Sequence, residues 1–275
     1  MKLHSLQRNK EKLQIYCVTN KIVPHLENTN YKLACVGDGY FPENYIASNT
    51  RDNIFYKEKY YSELTFHYWF WKNILPKEID DQWIGFCQKR RYWINHENVT
   101  EVNKENINKF LYEHAPVDWK QFDVILCKPI SVSGVKKSKL FKRGFKNIFE
   151  EPSILFNKKK QNLFLHFDMH HGYGNLKKAI NILPEPDKTQ FENFMKNNTS
   201  FNPHIMFISK PKIMNLWFEN LFGWLEKCEK EFNFDNLKGY DTQRLFAFLS
   251  ERYLSYWFKK NFRYKEANWV QLDHF

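Results

Sequence analysis

The sequence predicts an α/β fold, a mostly parallel sheet flanked by helices with a helical C-terminal part. Two observations carry this expectation. Short apolar runs of strand length alternate with amphipathic helical stretches. Several of those runs end in a glycine turn or a cluster of polar residues, as strands leading into loops do.

In chain order, "KLQIYCVTNK" (12–21) reads as a buried strand with a polar end, and "YKLACVGDGY" (31–40) as a second strand closed by a glycine turn. In "YSELTFHYWFWKNIL" (61–75), Leu64, Tyr68, Trp71 and Leu75 fall on one helical face, and Pro76 closes the helix. "WIGFCQKRRYW" (83–93) supplies a third strand and "FDVILCKP" (122–129) a fourth. Between them, "EVNKENINKFLYEHAP" (101–116) predicts a short helix ended by Pro116. Residues 131–162 are Lys-rich with weak periodicity, which predicts a mobile excursion. The stretch from Leu163 begins apolar and turns helical from about Asn175. "NPHIMFISKPK" (202–212) reads as a fifth strand, residues 213–232 as an amphipathic helix, and residues 241–262 as a final helix with Asp241 as N-cap.

The 275 residues suffice for one large domain with a real core. Hydrophobic residues at 43% and charged residues at 27% exclude a disordered chain. A formal charge of +11 favours anionic partners such as nucleotides, polyanions or acidic lipid surfaces. Aromatics reach 18%, which suits either stacking platforms or an AT-rich coding habit. Five scattered cysteines without a CxxC pair fit reduced, buried thiols in a cytoplasm rather than a disulfide scaffold or a cysteine zinc site. The N-terminal residues carry charge where a signal peptide needs an apolar core, and no run approaches the length of a membrane span. The aromatic, basic C-terminus is a candidate for peripheral contact with a membrane.

In open α/β sheets ligands bind beyond the carboxyl ends of the strands. Three such ends are polar here: Thr19–Asn20–Lys21, Gln88–Lys89–Arg90–Arg91, and Ser209–Lys210. Guanidinium forks match phosphate oxygens, so a diphosphate-linked ligand competes with plain solvated strand ends. Asp52 and Asn53 precede the aromatic helix and suit either a ribose or sugar hydroxyl or ordinary capping. Glu63 lies beside that helix's apolar stripe. "HFDMHH" (166–171) gathers Asp168 and His171 as metal-ligand or base candidates, against a structural role. Arg244 and Glu251 share a face of the last helix, either as a structural ion pair or with Glu251 turned to a ligand. No P-loop, GxGxxG, GxSxG or strand-end D-x-D is present.

Taken in order, these segments resemble a known family. "RDNIFYKEKYYSELTFHYWFWKN" resembles the G-D-N-I-S … E-L-T-A-L-Y-W-I-W-K-N block of the bacterial domain of unknown function 4422 family. "WIGFCQKRRYW" is similar to its V-G-L-C-H-Y-R-R-Y-F, "NPHIMFISKPK" with the following helix to its Y-N-M-F-I-M-K-K segment, and "QRLFAFLSERYLSYWF" to its R-V-F-G-F-L-A-E-R-L-L. The resemblance spans roughly residues 12–258. Members occur in capsular and exopolysaccharide gene clusters and are regarded as GT-A-like glycosyltransferases with a Rossmann-like sheet.

The resemblance implies a single domain over 1–275. Residues 12–130 would form a nucleotide-sugar-binding half, 131–162 a mobile insertion, and 163–275 an acceptor-side half with C-terminal helices. It implies a nucleotide-sugar donor, a UDP-sugar above all, and a saccharide or lipid-linked glycan acceptor, with no nucleic acid as partner. Thr19, Asn20, Lys21, Asp52, Asn53, Lys89, Arg90, Arg91 and Arg244 would hold the donor. Glu63, Asp168, His171 and Glu251 are the catalytic candidates. The missing D-x-D points to metal independence, while the His/Asp cluster leaves manganese or magnesium open. The chain departs from the family at Gln88 and Lys89, where the family has His and Tyr, and at Asn175, where it has Asp. A nucleic-acid binder and a degenerate glycan-binding relative are the competing expectations.

Overall fold

A computed structural model of the protein describes residues 11–78 and 80–272. The signal-peptide reading of the N-terminus rests largely on residues 1–10, which lie outside them. The strands and helices are, in order, β1 (Leu13–Thr19), β2 (Lys32–Cys35), β3 (Ile46–Ala47), α1 (Glu58–Tyr61), α2 (Leu64–Asn73), β4 (Trp83–Gln88), β5 (Arg91–Trp93), β6 (Val124–Cys127) and β7 (Ile130–Ser131). There follow α3 (Lys137–Arg143), α4 (Phe145–Glu150), α5 (Leu163–His171), α6 (Asn175–Asn181), α7 (Asp187–Asn197), β8 (Ser200–Phe201) and β9 (Phe207–Ser209). The last elements of the described residues are α8 (Pro211–Glu231), α9 (Tyr240–Gln243), α10 (Leu245–Asn261), β10 (Tyr264–Ala267) and β11 (Trp269–Gln271).

The main sheet runs β10-β6-β9-β4-β1-β2-β3, with β5 and β11 continuing off β4. The pairings β1–β2, β1–β4, β2–β3 and β6–β10 are parallel. Along β1, Tyr16 and Val18 join the helix-packed core with Phe66, Phe86 and Phe218, while Ile15 and Cys17 join a second core with Trp83, Trp93 and Trp119. Burial on both faces is why these strands read as continuous apolar runs. All five cysteines are free and buried.

Within the seven-strand path β10-β6-β9-β4-β1-β2-β3, one strand opposes the rest. β9 lies antiparallel between β4 and β6, so its entry segment, His204–Ile205, reaches the sheet edge where β1, β4 and β6 end. The approach to β4 is close enough to require Gly85, where a Cβ would stand 2.5 Å from Ile208 Cγ1.

The structure departs from the sequence expectations in five places. Residues 101–116 hold no α-helix, only a 3-10 turn at Ile107–Lys109 after one at Val99–Glu101. Asn98, Asn103 and Asn106 accept hydrogen bonds from nearby backbone N–H groups and so compete with the helix. Residues 131–162 form α3, α4 and two 3-10 turns, because Leu140 and Ile154 bury themselves against Leu165 and Met169 of α5. The helix before Asn175 starts at Leu163, capped by Asn162 Oδ1 accepting from Leu165 N at 3.0 Å. Asp241 lies inside α9 rather than capping the final helix, which begins after Arg244. Finally, β10 and β11 extend the sheet where no strand is expected. There the C-terminal aromatics serve packing: Trp257 and Phe258 are buried, and Trp269 donates to Lys128 O.

Candidate active site

The carboxyl ends of β1 and β4 meet through side chains. At the end of β1, Thr19 Oγ1 accepts from Lys21 N at 3.0 Å, which shapes the turn and presents Asn20 and Lys21. Lys89 Nζ donates to Asn20 Oδ1, bridging the two strand ends. Lys89 and Arg90 form a two-residue turn between β4 and β5, closed by the Gln88–Arg91 pairing. Arg90 takes a left-handed φ of +70°, a conformation of the kind that concentrates at functional sites. Ser62, His204 and Ile205 also have positive φ, at +52°, +70° and +54°, and belong to the segments that border this edge.

Charge converges here. Burial lowers the Lys89 ammonium, and Arg90, Lys21 and Arg244 lower it further, while Glu63 opposes them. The Glu58 carboxyl is raised by burial, then by Glu63 and Asp38, against Arg244 and Lys89. Glu251 is likewise raised by burial and by Glu63, against Arg252 and Arg91. Thus Lys89, Glu58 and Glu251 all feel Glu63, while Lys21, Arg90, Arg91 and Arg244 each act on one or more of them, which makes this edge of the sheet a mixed-charge region. Among the described residues, the buried Nε atoms of Arg90 and Arg91 have no hydrogen-bond partner. Arg91 Nη1 reaches Gln88 Oε1 only at 3.5 Å.

Behind the cleft lies a buried ion pair. Arg252, 2% exposed, donates from Nη1 to Glu251 Oε2 at 2.8 Å and lies over the Phe201 ring at 3.8 Å. Its Nη2 is 3.3 Å from His166 Nδ1, so that imidazole acts as acceptor. Burial and Arg252 together push His166 down to about 2. His204 is also pushed to about 2, by burial and then by Arg91, Arg252 and Arg90.

The other predicted residues occupy different positions. Asp52 Oδ1 accepts from Tyr68 OH at 3.3 Å, and Asn53 Oδ1 accepts from Phe55 N at 3.1 Å, so both shape the approach to α1 and α2. Asp168, 5% exposed, accepts from Asn147 Nδ2 at 2.8 Å and Gly174 N at 3.1 Å, fastening α4 and the loop after α5. Burial raises its carboxyl, and these two donors oppose the rise. His171 Nδ1 donates to Asp241 O at 3.1 Å, and its ring stacks on Phe248 with centroids 3.8 Å apart. Burial and then Arg252 push it down to about 3, leaving a neutral ring with Nε2 as its basic atom. Arg244 stands at the head of α10 with its guanidinium over Tyr240, and Glu251 takes its sequence neighbour Arg252 as partner.

Asn175, at the family's Asp position, donates from Nδ2 to His171 O at 2.9 Å, a bond that a carboxylate could not make. Three contributors went unseen in the sequence: Glu58, Gly37 and His204. A Cβ at Gly37, where φ is +79°, would stand 3.7 Å from the Glu58 carboxyl carbon. The G-D-G turn after the second strand was the available signal. Among the described residues, no three of His, Cys, Asp and Glu gather as metal ligands.

No curated protein matches the sequence. A solved structure of WbbM, titled a bifunctional glycosyltransferase in its apo structure, matches 97% of this chain with a TM-score of 0.69 and 20% identity. This chain spans 46% of that one, about half its length. The chain therefore shares the fold of the matched part of that structure, here a mostly parallel sheet between helices. The model of the family described as "Domain of unknown function (DUF4422)" matches residues 14–262, and the chain belongs to that family.

Proposed function

We propose that the protein is a glycosyltransferase that moves a sugar from a nucleoside-diphosphate donor, a UDP-sugar in the first instance, to a hydroxyl of a bacterial surface glycan. One observation carries the reading. Arg90, on a strained turn at the carboxyl end of β4, and Arg91, the first residue of β5, hold buried, unpartnered Nε donors. Unmet cationic donors in a partly dry cleft are suited to the charge that develops on a leaving diphosphate. Lys89 and Arg244 add to that field, and Thr19, Asn20 and Lys21 border it.

Transfer also requires a base for the acceptor hydroxyl. Glu63 is favoured: it acts on Lys89, Glu58 and Glu251, and it accepts from the adjacent Ser62 Oγ at 2.5 Å. Glu251 is committed to Arg252, and Asp168 to Asn147 and Gly174, so each is less free to take a proton. His171 keeps Nε2 as a basic atom and is the second choice. In this reading the reaction takes place at the cytoplasmic face of the membrane.

A thermal-shift panel of nucleoside diphosphates and their sugars, with and without manganese, tests the reading. Stabilisation by one nucleoside diphosphate, lost in Arg90→Ala and Arg91→Ala, is expected. Unchanged donor turnover in both variants would refute the phosphate role. Oligonucleotide affinity falling steeply with salt would favour a nucleic-acid binder instead. Donor hydrolysis without acceptor would count against a non-catalytic glycan-binding relative.

A further inference from the structure

We propose that α3, α4 and the turn after them form a docking surface for an anionic lipid bilayer. The chain has 26 phenylalanines. Among the described residues, the only exposed ones are Phe141, Phe145, Phe149 and Phe156, at 53%, 66%, 82% and 83% exposure. Their neighbours Leu140 and Ile154 are buried against α5 with Leu165 and Met169, so the segment has an inner apolar side and a second, outward one. Phe145 and Phe149, four residues apart, share one side of α4, and Phe141 stands on α3 just before it. Lys137 Nζ lies 5.7 Å from the Phe156 ring centre, which brings Phe156 beside the start of α3.

Charge selects the partner. Residues 136–160 carry nine exposed cations, Lys136, Lys137, Lys139, Lys142, Arg143, Lys146 and Lys158 to Lys160, against Glu150 and Glu151. Protruding phenylalanines ringed by lysines match a bilayer interface, where rings enter the acyl boundary and cations meet anionic headgroups. Large apolar side chains exposed together in this way mark an interaction site. Single-stranded nucleic acid is held by aromatic rings that line a basic groove, whereas Phe141, Phe145 and Phe149 protrude from two short helices, which disfavours nucleic acid.

The patch adjoins the cleft. Arg143 pairs with Asp241 at 3.3 Å, and three residues on stands Arg244. Docking would therefore bring the acceptor side of the cleft to lipid-linked glycans, a consequence that rests on the glycosyl-transfer reading. The lipid binding itself does not.

Flotation with vesicles of phosphatidylcholine alone, and of equimolar phosphatidylcholine and phosphatidylglycerol, tests the proposal without donor or acceptor. The protein is expected to float with the anionic vesicles and far less with the neutral ones. Phe149→Ser and Phe156→Ser should each weaken binding by roughly tenfold, the order expected for withdrawing one aromatic side chain. Both positions are exposed, so the thermal midpoint should not move. Equal binding by the double variant, or no binding to anionic vesicles, would overturn the proposal. So would oligonucleotide retention that the same substitutions abolish.

Discussion

Gln88 Nε2 donates to the carbonyl oxygen of His204 at 2.7 Å. The bond ties the end of β4 to the left-handed pair His204–Ile205 that leads into the antiparallel strand β9. Gln88 is 6% exposed, so its partner has little water to turn to. Replacing Gln88 by Leu should cost about 1–3 kcal/mol, the price of one buried unsatisfied carbonyl. Urea denaturation measures it, and donor affinity should fall as well, because Arg91 loses the Oε1 near its Nη1.

Arg90 offers a test that separates strain from function. Glycine adopts φ near +70° without the Cβ penalty. Arg90→Gly should therefore hold or raise stability, by up to about 1 kcal/mol, while nucleotide binding weakens by roughly tenfold or more. Loss of both together would mean that the guanidinium serves the fold.

Arg252 is the opposite case. It lies 2% exposed, paired with Glu251, and stacked over Phe201. Arg252→Leu leaves the Glu251 carboxylate with little solvent and without its hydrogen-bonded partner, and should cost about 3–5 kcal/mol in chemical denaturation. Arg252→Lys keeps the charge but loses the planar stack, so it should rescue only part of that loss.

Acid should unfold the protein by way of its buried imidazoles. Burial pushes His67 from 6.5 to about 3, and its ring is packed 4.2 Å from Phe86. The folded state thus holds His67 neutral, while the unfolded chain takes up its proton below pH 6.5. The stability contributed is complete above pH 6.5 and is lost as pH falls toward 3. Each such histidine adds a slope of up to about 1.4 kcal/mol per pH unit. His166, His171 and His204 act in the same direction. His67→Leu should flatten the pH dependence of the denaturation midpoint by about one proton without weakening nucleotide binding.

Local patterning alone determined the strands Leu13–Thr19, Trp83–Gln88 and Val124–Cys127, because burial on both faces leaves an unbroken apolar run. It also determined the long helix Pro211–Glu231 and the basic pair Arg90–Arg91 at a strand end. The alternation of apolar runs with amphipathic helices carried the α/β class, and family motifs read in order carried the family itself. The direction of β9 was decided only in three dimensions, since a strand's apolar pattern is the same whichever way it runs. The C-terminal strands were hidden for a related reason: they are short, and they gain their hydrogen bonds from β5 and β6, more than a hundred residues away. Tertiary packing likewise chose Arg252 as the partner of Glu251 and brought Glu58 to Gly37. A cleft is a meeting of loops distant in sequence, and which carboxylate faces which cation is settled only when the sheet brings their ends together.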